Sequence, residues 1–116
     1  MINLYTKSIK QCDEYIIQLL SFLYKVYEIT YKNENVEVTK TYIGEFGEQL
    51  EELVKFIQEN KMLNELILQN ECDLKFALES FGSAFHIEDY DLCSEILKYE
   101  IQYILCKWRD KLNRQK

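Results

Sequence analysis

EDYDLCSEILKYEIQYILCKWRDKL, residues Glu88 to Leu112, opens on acids and closes on bases. Glu88, Asp89 and Asp91 stand where a helix dipole is positive, and Lys107, Arg109 and Lys111 where it is negative. Between them Cys93, Leu97, Ile101, Ile104, Trp108 and Leu112 recur at helical spacing. A second set, Leu92, Ile96, Tyr99 and Tyr103, falls on the adjoining face. The spacing therefore predicts a helix over about 89–112 that is apolar around more than half its girth. Such a helix needs neighbours on two sides, which one outer stripe would not require. Glu100 falls in phase with Cys93, Ile96, Leu97 and Ile104, so it is expected to be a buried carboxylate. There it would need a cation, a tyrosine hydroxyl or backbone donors.

The residues upstream repeat the pattern. Ile9, Cys12, Ile16, Leu19, Leu20, Leu23, Val26 and Tyr27 predict a first helix over about 6–31, with Tyr15, Phe22 and Ile29 on its flank. Ile2 to Tyr5 read as a lead-in or an early first turn. The break Lys32 to Asn35 carries two turn-forming asparagines, Asn33 and Asn35. Tyr42, Ile43, Phe46, Leu50, Leu53, Val54 and Ile57 predict a second helix over about 38–58, with Glu45, Glu48, Glu52 and Glu59 along its solvent edge. Gly44 and Gly47 lie on one side of it and would let another backbone come close.

Leu63, Leu66, Ile67, Leu74, Ala77, Leu78, Phe81, Ala84 and Phe85 stay in phase, so a single third helix is expected over about 62–86. Asn70 falls on its apolar stripe and is the second expected buried polar group, unless the helix bends there. A short turn at Ile87 to Asp89 then makes the last two helices neighbours. Four amphipathic helices with short connections predict an all-α domain over residues 1–116, a four-helix up-down-up-down bundle. No proline and three glycines in 116 residues fit that reading.

Charge and cysteine use narrow the function. Residues 34–100 hold sixteen acids against five bases, while residues 101–116 hold five bases against one acid. An acidic middle repels phosphate, so nucleic acid is not the expected partner. The apolar run Tyr15 to Tyr27 is broken by Gln18, Ser21 and Lys25 and is too short to span a membrane. Cys12, Cys72, Cys93 and Cys106 form no CxxC pair, and no secretory signal precedes them, so free thiols in the cytoplasm are expected.

The run GSAFHIEDYDLCSEIL, Gly82 to Leu97, is similar to the turn of a tetratricopeptide repeat, one residue shorter, with Cys93 where the repeat prefers alanine. ALES at Ala77 to Ser80, with EDYDLCSEILKYEI and Trp108, resembles an uncharacterised family of small helical proteins from low-GC Gram-positive bacteria. That resemblance implies a helical fold, a cytosolic setting and a bacterial origin, and no catalytic residue.

No catalytic, cofactor-binding or metal site is expected. His86 is the only histidine, and Ser83 stands where a Glu-x-x-His motif needs its glutamate. Glu88, Asp89 and Asp91 lack the spacing of a calcium loop and suit a helix cap. No glycine-rich phosphate loop or oxyanion turn is present. The expected function is a non-enzymatic protein-interaction module, adaptor or chaperone-like, that meets a protein partner or a second copy of itself. Its face is expected on Leu92, Ile96, Tyr99 and Tyr103 with Tyr15, Phe22 and Ile29. Nine tyrosines, among them Tyr24, Tyr27 and Tyr31, suit such a half-wet surface. The alternative is a small-ligand-binding or sensing bundle with Glu100 as the polar anchor in an apolar pocket.

Overall fold

Ile9, Cys12, Ile16, Leu19, Leu23 and Val26 succeed one another at three- and four-residue steps, and all are buried. They form the inner stripe of α1, Leu4–Lys32, the longest helix. The computed structural model of the chain describes residues 4–32 and 34–114. Ile2 and Asn33 lie outside the described residues.

α2, Val36–Glu59, begins where Asn35 turns its side-chain oxygen onto the Val38 amide at 3.2 Å. That bond satisfies one of the amides a helix start leaves open. Ile43, Phe46, Leu50, Leu53 and Ile57 face inward, and α2 packs along α1. Asn60 ends α2 and caps its successor, accepting from the Leu63 amide at 3.1 Å and donating to Ser8 Oγ at 3.2 Å. The successor, α3, starts at Lys61–Leu63 and widens into a π-helical turn at Asn64–Leu68.

The expected third helix breaks here. Residues 69–72 bend, and α4, Asp73–His86, starts afresh. The described residues therefore form five helices where four were expected. Asn70 lies exposed in the bend rather than on an apolar stripe. The side chain that goes inward is Glu71, only 2 % exposed. It accepts from Trp108 Nε1 at 2.9 Å and from Lys107 Nζ at 3.0 Å, and its other oxygen takes the Asp73 amide at 3.0 Å. Bending the chain supplies a buried carboxylate with three donors, which a straight helix would not.

Glu88, at φ 59°, closes α4 in a left-handed turn. The Asp89 amide bonds Ala84 O at 2.9 Å and the Glu88 amide bonds Phe85 O at 3.1 Å, the pair of bonds that ends many helices. Asp89 then accepts from the Leu92 amide and caps α5. α5 runs through Tyr90–Ile96, passes a π-helical turn at Leu97–Ile101 and continues over Gln102–Asn113. Its buried face meets α1 along its length and α4 over its first half. Trp108 lies fully buried in the one core cluster, to which all five helices contribute. No strand occurs among the described residues, and no helix among them is long and apolar enough to cross a membrane.

Candidate interaction surface

The π turn of α5 determines which side chains reach solvent. A π turn takes one residue more than an α turn, so everything beyond it is rotated relative to what precedes it. Ile96, before the turn, is core at 3 % exposure, while Tyr99 within it and Tyr103 after it are 68 % and 62 % exposed. The expectation that these three share one face is therefore corrected. Glu100 is corrected for the same reason: an unbroken helix would point it at the core, and the extra residue carries it to the surface. Leu92 is half exposed, as a surface position would be.

Two depressions flank Tyr99. One, of about 180 Å³, lies between α4 and α5, lined by Phe76, Tyr99, Tyr103 and the carboxylates of Asp73 and Glu100. The other, of about 390 Å³, lies between α1 and α5, lined by Tyr27, Tyr31, Asp91, Glu95 and Tyr99. Tyr27 and Tyr31 stack at 6.0 Å, and Lys98 Nζ stands 5.4 Å from the rings of both Tyr27 and Tyr99. Tyr24 accepts a hydrogen bond from Gln102 Nε2 at 2.8 Å across the same seam. Lys107 reaches Asp73 at 3.7 Å and lies 5.8 Å from the Tyr103 ring. An aromatic belt with acidic edges thus runs from the late turns of α1 across the middle of α5 to Phe76 on α4.

The flank of α1 does not join this belt. Phe22 packs between Tyr42 and Phe46 of α2 at 6.0 and 6.3 Å, and Tyr15 packs on Phe56 at 6.2 Å. Burial, and then the Glu52 carboxylate that its hydroxyl meets at 3.4 Å, push the Tyr15 phenol up. Ile29 is half buried. Tyr15 and Phe22 are covered by α2 within the chain and are not brought beside Tyr99 and Tyr103. Phe76, 68 % exposed, is a belt residue that periodicity alone passes over. Its signal was available: an aromatic out of phase with Leu74, Ala77 and Phe81 must point away from the stripe they form.

The thiols are free at all four positions. Burial, aided by Asp13, pushes the Cys12 thiol up to about 12, and burial with Asp89 pushes Cys93 to about 11. Both stay protonated at neutral pH and behave as small apolar side chains. Glu71 is the opposite case. Burial pushes its carboxyl up, but the bonds from Trp108, Lys107 and the Asp73 amide outweigh burial and hold it below the usual range. Arg109 and Asp13 form a second partly buried pair at 2.9 Å, tying α5 to α1. His86 is exposed on the last turn of α4. No group of three or more histidine, cysteine or acidic side chains among the described residues is placed to hold a metal ion. No family model, curated protein or solved structure matches the chain, so no functional residue reaches it from a relative.

Proposed function

We propose that this chain is a non-enzymatic protein-interaction module, an adaptor or chaperone-like domain, whose contact surface is the aromatic belt centred on Tyr99 and Tyr103. One observation carries the reading: Phe76, Tyr99 and Tyr103 each leave more than half of their surface in water around one depression. Large aromatics in solvent cost a monomer solubility and gain nothing inside it, whereas at an interface tyrosine supplies area with little side-chain entropy to lose. The small-ligand alternative narrows to a feature of the same surface. The depression beside Glu100 is open, and its aromatic walls with two carboxylates suit a cationic side chain of the partner. The acidic balance of residues 34–100 argues against a nucleic-acid partner. Four unpaired thiols support a reducing, cytoplasmic setting.

The test replaces Tyr99 and Tyr103 together by alanine. Self-association is followed by light scattering over a concentration series, and partner capture is compared between wild type and variant. The expected result is an association, with itself or another protein, that weakens at least about tenfold while the circular-dichroism melt is unchanged. An association of unaltered strength in the folded variant overturns the reading.

A further inference from the structure

A second surface, chemically unlike the first, lies between α2 and α4. Two adjoining depressions, of about 370 and 240 Å³, run along this seam and share Val54 and Leu78. Leu68 and Leu74 extend the apolar floor at one end, and Leu50 and Gly47 at the other. From Gly47 to Gln58 the groove follows α2 for about 16 Å, the length of three helical turns. A β-carbon added at Gly47 would meet nothing within 4 Å, so this end is low because a side chain is missing, not because the fold fills it. Gly44 and Gly82 are equally open.

We infer that this groove docks an amphipathic helix of a partner protein, with a small apolar face and lysines or arginines along both edges. The walls are helices whose backbone amides and carbonyls are already bonded internally, so a guest cannot add as a strand. A helix, which satisfies its own backbone, can be lowered against Gly47. The charge follows from the rims. Glu51 and Glu79 stand on opposite walls, and Lys75 is the only base among the lining residues. α2 outside the groove adds Glu37, Glu45, Glu48, Glu52 and Glu59 against Lys40 and Lys55. A second copy of this chain does not fit. Its basic residues Lys107, Arg109 and Lys111 belong to α5, whose apolar residues Ile104, Leu105, Trp108 and Leu112 are buried in its own core.

The probe is a synthetic helix of roughly 18 residues, long enough to fold on docking, with alanine and leucine on one face and lysine on both edges. A scrambled peptide of the same composition is the control, and binding is read by fluorescence anisotropy against the full chain. The amphipathic order is expected to bind at least about tenfold more tightly than the scramble. Gly47→Leu, which fills open space in the groove, should weaken it at least about tenfold without lowering the melting temperature. Glu51→Lys with Glu79→Lys should weaken it and flatten its salt dependence. The pair Tyr99→Ala and Tyr103→Ala should leave peptide binding intact, which separates this site from the aromatic belt. Absence of binding, equal binding of the scramble, or unaltered binding by Gly47→Leu overturns the inference. Self-association of the wild type that Gly47→Leu abolishes overturns it too, by giving the groove to a second copy.

Discussion

The α1–α2 hairpin and the α3–α5 half are built from similarly apolar helices, and they finish differently. In the hairpin, two helices of 29 and 24 residues run without interruption, and the flank of one is covered by the other. Phe22 finds Tyr42 and Phe46, and Tyr15 finds Phe56. In the second half the backbone changes phase repeatedly: a π turn at Asn64–Leu68, a bend over 69–72 and a π turn at Leu97–Ile101. There Phe76, Tyr99 and Tyr103 are left in solvent, and α4 leaves a groove against α2. Backbone register, more than apolar content, decides which aromatics reach solvent.

Single-residue deletions test that contrast most severely. Deleting Gln18 from α1 rotates Leu19, Leu23 and Val26 away from the core that Ile9, Cys12 and Ile16 face. The loss should be about 5 kcal/mol or more, most of the stability of a domain this size. Deleting Glu100 from the π turn should do the reverse. It leaves Leu97, Ile101, Ile104, Trp108 and Leu112 at α-helical intervals, so the turn closes into ordinary helix at a change within about 1 kcal/mol. Urea denaturation of the two deletions measures both. Equal damage would mean that the π turn is fixed by more than its extra residue.

The bend between α3 and α4 is expected to depend on Glu71. Glu71→Gln keeps a side-chain acceptor for Trp108 and loses the charge facing Lys107, so stability at neutral pH should fall by about 1.5–3 kcal/mol. The sign with pH follows from a folded-state carboxyl held below its ordinary value of 4.5. Its stabilising contribution is fully present above that value and is lost as pH falls through the lower folded value. Wild type and Glu71→Gln should therefore differ by a constant gap above about pH 4.5 and converge only as pH falls below it, through the lower folded value. Denaturation at a series of pH values checks this, and a gap that stays constant below that value too would remove the charge from the account.

Aromatic residues in the two halves should respond oppositely to truncation. Phe22→Ala opens space between α1 and α2 and should cost about 2 kcal/mol, less than a fully buried phenylalanine. Tyr99→Ala removes a ring already mostly in water and should stay within about 0.5 kcal/mol. Thermal melts of both variants decide it. A large loss at Tyr99 would make that ring part of the core margin and weaken its assignment to an interface.

The hairpin was legible in the sequence because its periodicity and its backbone agree. Asn35 reads as a turn former and caps α2, and Asp89 reads as a cap and acts as one. The second half was less legible for reasons that can be named. Ile67 and Leu74 are seven residues apart, the spacing of two helical turns, so a bend between them leaves the pattern intact. A π turn has no residue signature, so Ile96 and Glu100 were assigned by a phase the backbone does not keep. Glu71 outside and Asn70 inside is the natural reading of a straight helix; the bend reverses it so that Glu71 can meet Trp108. Asp13 and Arg109 are 96 residues apart, and no local pattern announces their pairing.

Glycine gives the one place where the two halves should behave alike. Gly44 lies in the hairpin and Gly82 in the second half, both inside helices, and a β-carbon at either would meet nothing within 4 Å. Helix propensity does not depend on what the rest of the chain does around an open position. Alanine restricts the unfolded chain and suits the helix, so Gly44→Ala and Gly82→Ala should each stabilise by about 0.8–1 kcal/mol. The two changes share no neighbour and should add. Melting curves of the singles and the double provide the measurement. A loss at either position would mean that another backbone comes close there in solution. At Gly44 in particular, one turn from Gly47, a loss that appears only at high protein concentration would place a second copy over the groove.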